Sequence, residues 1–200
     1  MGRKKERTDQ ELLDIARKVL LEHGPNVATG VIAKAAEVSQ ATLFNRFGDK
    51  RTLLLRALAP PPTNPAIELM EQPPDQRPIP VQLVEVGLLM YKFMRIHEPR
   101  IVCLKAGGYS LGDIMKENIE VPIQRGPQAL ASWIAKAQEE GRVSKDIDIF
   151  ALMIAFAGSI KNLAMEEHFQ FVREDEQLVF NTITHLVDLL WKGMAPSPES

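Results

Sequence analysis

Gln40, Ala41, Thr42, Asn45 and Arg46 are the most informative group of side chains in the sequence. Glutamine and asparagine can each make paired hydrogen bonds to adenine, arginine can do so to guanine, and a methyl group can meet the methyl of thymine. Such side chains on one short helix suit the reading of base edges in a major groove. They need a brace that sets the helix at a fixed angle. The stretch from Ile32 to Phe44 supplies one: two short helices joined by the turn Glu37-Val38-Ser39. Ala33 and Ala36 are small enough for the helices to approach closely, and Val38 is an apolar turn residue that plugs the gap between them. This is helix-turn-helix physics, in which the first helix braces and the second offers its N-terminal side chains to the groove. The same spacing fits a plain helical hairpin with a polar face. A helical protein-interaction module without specific DNA binding therefore stands as the alternative function.

The elements around this pair are helical as well. Leu12, Ile15, Ala16, Val19 and Leu20 recur at three- and four-residue spacing, an amphipathic stripe. Thr8 and Asp9 suit its N-terminal cap, and Gly24-Pro25 ends it. Thr29 is expected to cap a helix through Ile32, Ala33 and Ala36. Ser39 leads into Leu43, Phe44 and Phe47, and Gly48-Asp49 leads into Leu53, Leu54, Ala57 and Leu58. Together they make a small helical bundle over residues 1–59.

Residues 8–58 resemble the DNA-binding domain of the tetracycline-repressor (TetR) family. The matching residues are Leu12-Leu13, Ile15-Ala16, Val19-Leu20, Gly24, Thr29 with Ile32-Ala33, Val38-Ser39, Thr42-Leu43-Phe44, Phe47, Gly48 with Lys50, and Leu53-Leu54. The resemblance implies a three-helix head with a linking helix, an all-α body that dimerises and binds a small effector, and repression from a palindromic operator relieved by that ligand. It also implies a DNA-contacting set of Thr29, Ser39, Gln40, Ala41, Thr42, Phe44, Asn45, Arg46 and Lys50. In that set Thr42 and Lys50 take phosphate positions, and Gln40, Asn45 and Arg46 take base or backbone positions. Three residues depart from the family pattern: Phe44 stands where a tyrosine is usual, Glu37 where a glycine is usual, and Pro25 where an aromatic is usual.

Composition narrows the function classes. The chain has 200 residues and a formal net charge of -2, with 45% hydrophobic and 25% charged residues, an ordinary globular balance. The charge is uneven: residues 1–58 hold eleven Lys/Arg against seven Asp/Glu, while residues 59–200 hold thirteen against nineteen. A basic head on an acidic body suits a polyanionic partner for the head alone. The arm Arg3-Lys4-Lys5-Glu6-Arg7 is placed to lie on phosphates or to enter a minor groove. No apolar run approaches the roughly 18–20 residues that span a bilayer, and no apolar segment of a secretory signal follows Met1. One cysteine, Cys103, leaves no internal disulfide framework or cysteine-based zinc site. These features suit a cytoplasmic protein without cofactor or metal. The motifs of serine hydrolases, P-loop enzymes and dinucleotide-binding enzymes are missing, so an enzyme is not expected.

Eight of the fourteen prolines fall in residues 60–80, which read as a linker between the head and a body at 81–193. The body shows only helical periodicity, so the fold class is all-α. Its expected helices are Val81 to His97 closed by Pro99, Ile101 to Lys105, Leu111 to Glu120, Pro127 to Glu140, Ile147 to Phe169 and Asp175 to Lys192. A disordered tail is expected at 194–200. Ala151, Ala155, Gly158 and Asn162 form a small-residue strip. With Val179, Ile183, Leu186 and Leu190 they are the expected homodimer interface. Large or soft side chains are candidates to line an effector pocket: Met90, Phe93, Met94, Tyr109, Trp133, Met153, Phe156 and Met165, with His97 and His168 as polar contacts.

Overall fold

The computed structural model describes residues 7–117, 119, 125–168 and 175–194. The fold is all-α. Its helices are α1 (Asp9–His23), α2 (Thr29–Ala35), α3 (Gln40–Phe47), α4 (Lys50–Leu58), α5 (Pro65–Met70), α6 (Ile79–Ala106), α7 (Leu111–Lys116), α8 (Arg125–Glu139), α9 (Ile149–His168) and α10 (Glu176–Met194).

The chain packs as two units, one of Met1–Pro62 with Pro99–Val121, the other of Thr63–Glu98 with Pro122–Ser200. These limits differ from those that the prolines suggest. Residues 60–80 do more than connect: Asn64 caps α5, Pro65 opens it, and Ala66, Ile67 and Met70 are buried in the second unit's core. Residues 99–121 belong to the first unit, where Cys103, Leu104 and Ile114 are buried in its core. Helix α6 runs through Pro99, where a stop was expected. A proline inside a helix removes a donor and crowds the preceding turn, at a cost of about 3 kcal/mol. Buried residues on both sides of it, Met90 and Tyr91 before and Ile101, Cys103 and Leu104 after, offset that cost. The expected tail beyond Met194 lies outside the described residues.

In the first unit, each short helix starts on a local signal. Thr8 and Glu11 form a capping box at α1, whose Leu12, Ala16, Val19 and Leu20 are buried. Ser39 caps α3 and Asp49 caps α4, accepting from the Thr52 amide at 2.6 Å. Helix α4 is the centre of this core, with Leu53, Leu54, Leu55, Ala57 and Leu58 all buried. Arg17 ties α1 to the end of α4 by donating to the Ala57 carbonyl at 2.7 Å. Arg51 ties α4 to α7 through Glu117 and Asp113, and it sits 6.0 Å from the centre of the Tyr109 ring. The backbone and side-chain hydrogen bonds from Thr52 hold the Asp49 carboxyl below its usual range. Asp49 therefore stabilises the fold above the ordinary carboxylate pKa, and that contribution is lost as pH falls through its lower folded value. Asp49→Ala should cost about 1 kcal/mol at neutral pH. Asp49→Asn should keep most of the cap while flattening the acid limb of stability. Urea titrations at pH 7 and pH 3 check both expectations.

The second unit packs α5, α6, α8, α9 and α10 around Leu83, Val86, Trp133, Ile134, Phe156, Ile160, Ile183 and Val187. Gly87 marks the closest approach within it. A Cβ there would lie 2.8 Å from Ile183 Cγ2 and 3.4 Å from both Ile160 Cδ1 and Phe156 Cζ. Gln82, also buried, fixes the segment before α6, its amide donating to the Asp75 and Arg77 carbonyls while its oxygen accepts from the Asp75 amide. By length and composition α9 is apolar enough to cross a membrane, with mean hydropathy 1.4 over Ile149–Glu166, although no such run was expected. Its apolar residues fall on two sides. Phe156, Ile160 and Ala164 enter the core, while Phe150 and Ile154 face outward, 69% and 61% exposed.

Candidate nucleic-acid interface

Helix α3 is held so that one side enters the core and the other meets solvent. Leu43 and Phe47 are buried, which turns Gln40, Ala41, Phe44 and Asn45 outward. Ser39 does not extend freely: its hydroxyl accepts from the Thr42 amide at 3.0 Å and lies 2.9 Å from the Thr42 hydroxyl. It fixes the start of the helix and half-buries Thr42. Phe44 is 40% exposed, so it is a surface side chain and not a core one. Arg46 is half-buried and reaches Asp9 at the start of α1, Nη1 to Oδ1 2.7 Å. That ion pair points the guanidinium along the surface that α1 and α3 share. Lys50 is the first residue of α4 and is half-buried.

Thr29 departs from its expected role. The N-cap of α2 is Ala28, which makes no side-chain cap, and Thr29 is the first helical residue, buried. Thr29 is therefore a first-turn residue and not the cap of α2. Glu37 takes φ +55, the only non-glycine residue with positive φ among the described residues. That left-handed conformation costs an L side chain about 1–2 kcal/mol, and the turn sequence gives the physical reason a glycine would suit here. Glu37 also carries a negative charge 3.5 Å from Arg7 at the helix-turn-helix. Glu37→Gly should raise stability by about 0.5–1 kcal/mol, the strain relieved exceeding the added unfolded-state entropy. Removing the acid should also strengthen DNA binding at low salt several-fold. Thermal melts and a salt-dependent titration measure the two effects separately.

Residues 12–57 match the family described as bacterial regulatory proteins, tetR family. The similarity to this family lies in the helix-turn-helix residues. No curated protein matches it by sequence. Three solved structures share its fold. FadR from Bacillus subtilis, in complex with stearoyl-CoA, has a TM-score of 0.68 and 15% identity, covering 93% of this chain and 99% of that one. The fatty acid degradation regulator FadR from Bacillus halodurans has a TM-score of 0.65 and 16% identity, covering 90% and 97%. A TetR family transcription regulator from Marinobacter aquaeolei has 0.62 and 17%, covering 94% and 95%. The outward row on α3 lies within the residues that match this family.

In the second unit, the expected interface residues divide. Ala151, Ala155, Gly158 and Asn162 are exposed on α9. Val179 and Ile183, 6% and 0% exposed, are instead in the chain's own core, and Leu186 and Leu190 pack against it half-buried. The outward side of α10 carries Leu178 and Leu189, the latter 66% exposed. The pocket candidates divide as well. Met90, Trp133 and Phe156 are buried core, and Met94 and Met153 pack on that core. Phe93 and His97 stack with ring centres 4.3 Å apart. Met165 is half-buried. Tyr109 belongs to the first unit, where it packs on the core beside Arg51. The His168 side chain lies outside the described residues. A groove of about 320 Å³ opens between α6 and the start of α10, lined by Leu88, Tyr91 and Phe180 with Lys92 and Arg95 on one side and Asp175 and Glu176 on the other. None of the effector-pocket candidates lines it, although Val179, an expected interface residue, does; the spacing of Leu88, Tyr91, Lys92 and Arg95 along one side of α6 was the available signal. Cys103 is buried, donates to the Leu20 carbonyl at 3.3 Å, and burial pushes its thiol pKa up, which makes it an unreactive core thiol. Among the described residues no group of three His, Cys, Asp or Glu is arranged to hold a metal ion.

Proposed function

We propose that this protein is a ligand-responsive, sequence-specific transcriptional regulator that acts in the cytoplasm as a repressor. Two copies set their α3 helices into a palindromic operator and leave it when a small apolar or amphipathic effector binds the second unit. The observation that carries the DNA part is the outward row Gln40, Ala41, Phe44 and Asn45, continued by Arg46, on a helix whose opposite side is locked into a core. Such a dimer must present its two helices about one DNA turn, ~34–36 Å, apart or at a compatible multiple. The outward apolar side chains Phe150, Ile154 and Leu189 support a second copy as the cover for α9 and α10. The groove, with Leu88, Tyr91 and Phe180 beside Lys92, Arg95, Asp175 and Glu176, suits an amphipathic effector. B. subtilis FadR, which carries stearoyl-CoA, has the same fold. An effector that prefers a different spacing of the helices weakens DNA binding by its differential affinity for the two states.

Titration against the DNA upstream of its own gene at two salt concentrations tests this reading. Specific, salt-dependent binding is expected, and Arg46→Ala should weaken it about ten- to a hundredfold. Binding no tighter than background, unaffected by Arg46→Ala, would favour an interaction module instead.

A further inference from the structure

We infer that Gly30, on the bracing helix α2, is a specificity-determining residue that positions the Gln40 side chain; the inference rests on the DNA-binding reading above. Gln40 opens α3 and is exposed. Its carboxamide turns back over α2. A Cβ built at Gly30 would lie 2.6 Å from Gln40 Nε2 and 3.6 Å from its Cδ, and apart from its chain neighbours and its own helix backbone no other atom comes within 4 Å. The amide therefore occupies the space that any other residue at position 30 would fill.

The backbone does not ask for glycine here. Gly30 is the second residue of α2 and is absent from the positive-φ glycines. A glycine in a helix is less favourable than alanine, so its presence must be explained by a neighbour. Gly87 has core atoms of three side chains around it, and Gly107 has Pro25 and Tyr109. Gly30 has only the carboxamide of a residue on the DNA-facing row. That carboxamide is the flexible end of its side chain, so a methyl group at position 30 displaces it at little cost to the fold. The cost falls on recognition. Paired hydrogen bonds to adenine need the amide nitrogen and oxygen together in the plane of the base, and a displaced carboxamide no longer presents both.

Gly30→Ala is the test, read by selecting preferred sites from random DNA with wild type, Gly30→Ala, Gln40→Ala and the double variant. Gly30→Ala should fold with unchanged or higher melting temperature and lose about tenfold discrimination at the same base pair of each half-site that Gln40→Ala relaxes. In the Gln40→Ala background it should add nothing, the signature of two residues acting through one contact. The Gln40 side-chain amide resonances should shift in the Gly30→Ala variant without DNA. Unchanged base preference would overturn the inference. So would a loss of affinity uniform across sequences, which would mean that glycine serves a close approach of the backbone to phosphate. A wild-type chain with no preferred sequence would remove the DNA-binding reading and this inference with it. A wild type with a preference that Gly30→Ala retains would remove this inference alone.

Discussion

Ile154→Glu combined with Leu189→Glu should turn the protein into a folded monomer whose operator affinity falls by about a hundredfold or more. Both side chains are more than three-fifths exposed, at 61% and 66%, so neither contributes much to its own chain's core. Each would carry a buried charge into an interface between two copies, where an unpaired carboxylate is strongly disfavoured. The two half-site contacts of a dimer act as one bivalent ligand, and separating them forfeits the effective concentration of the second. Light scattering at micromolar concentration and a parallel operator titration check the two halves. A double variant that still scatters as a dimer would show that α9 and α10 are not the contact. Val179→Glu or Ile183→Glu should behave differently and unfold the second unit, because those side chains are inside it.

Phe156→Ala should cost about 3–5 kcal/mol, the largest single loss of stability expected in this chain. The ring is 1% exposed, and its Cζ lies 3.4 Å from where a Cβ on Gly87 would stand. Around it α6, α9 and α10 meet through Gly87, Ile160 and Ile183. The neighbours are held by three helices and have little room to collapse into the space, so the transfer and cavity terms add. Urea denaturation followed by helical circular dichroism measures the difference. A cost below about 1 kcal/mol would mean that the helices close over the gap.

The head was legible because its signals are local. Thr8 with Glu11, Ser39 and Asp49 each start a helix through a hydrogen bond within three residues. The apolar spacing of Leu12, Ala16, Val19 and Leu20 has one buried side to find. Thr29 was misread for the same reason that Ser39 was read well: a threonine before an apolar helix fits either the cap or the first turn, and only packing chooses. In the body, α9 and α10 are apolar on two sides. Periodicity reveals both stripes of α10 but cannot say that Val179 and Ile183 turn inward while Leu189 turns outward. Pro99 is the clearest case of tertiary contacts overriding a local rule, since residues buried on either side of it keep α6 continuous. The effector candidates were chosen for size and softness, properties that serve a packed interior equally well, and Met90, Trp133 and Phe156 proved to be interior.

Cys103, Leu104 and Ile114 complete a core whose other buried members all come from residues 12–58. The unit that carries the helix-turn-helix is therefore not a contiguous cassette. A hybrid made by grafting residues 1–62 onto another body would leave Leu20 and the core around it short of buried partners, unless the recipient supplied equivalents of those three side chains. Transfer of this chain's head must carry two separate stretches of gene, and a single junction in the proline-rich segment would yield a poorly packed head.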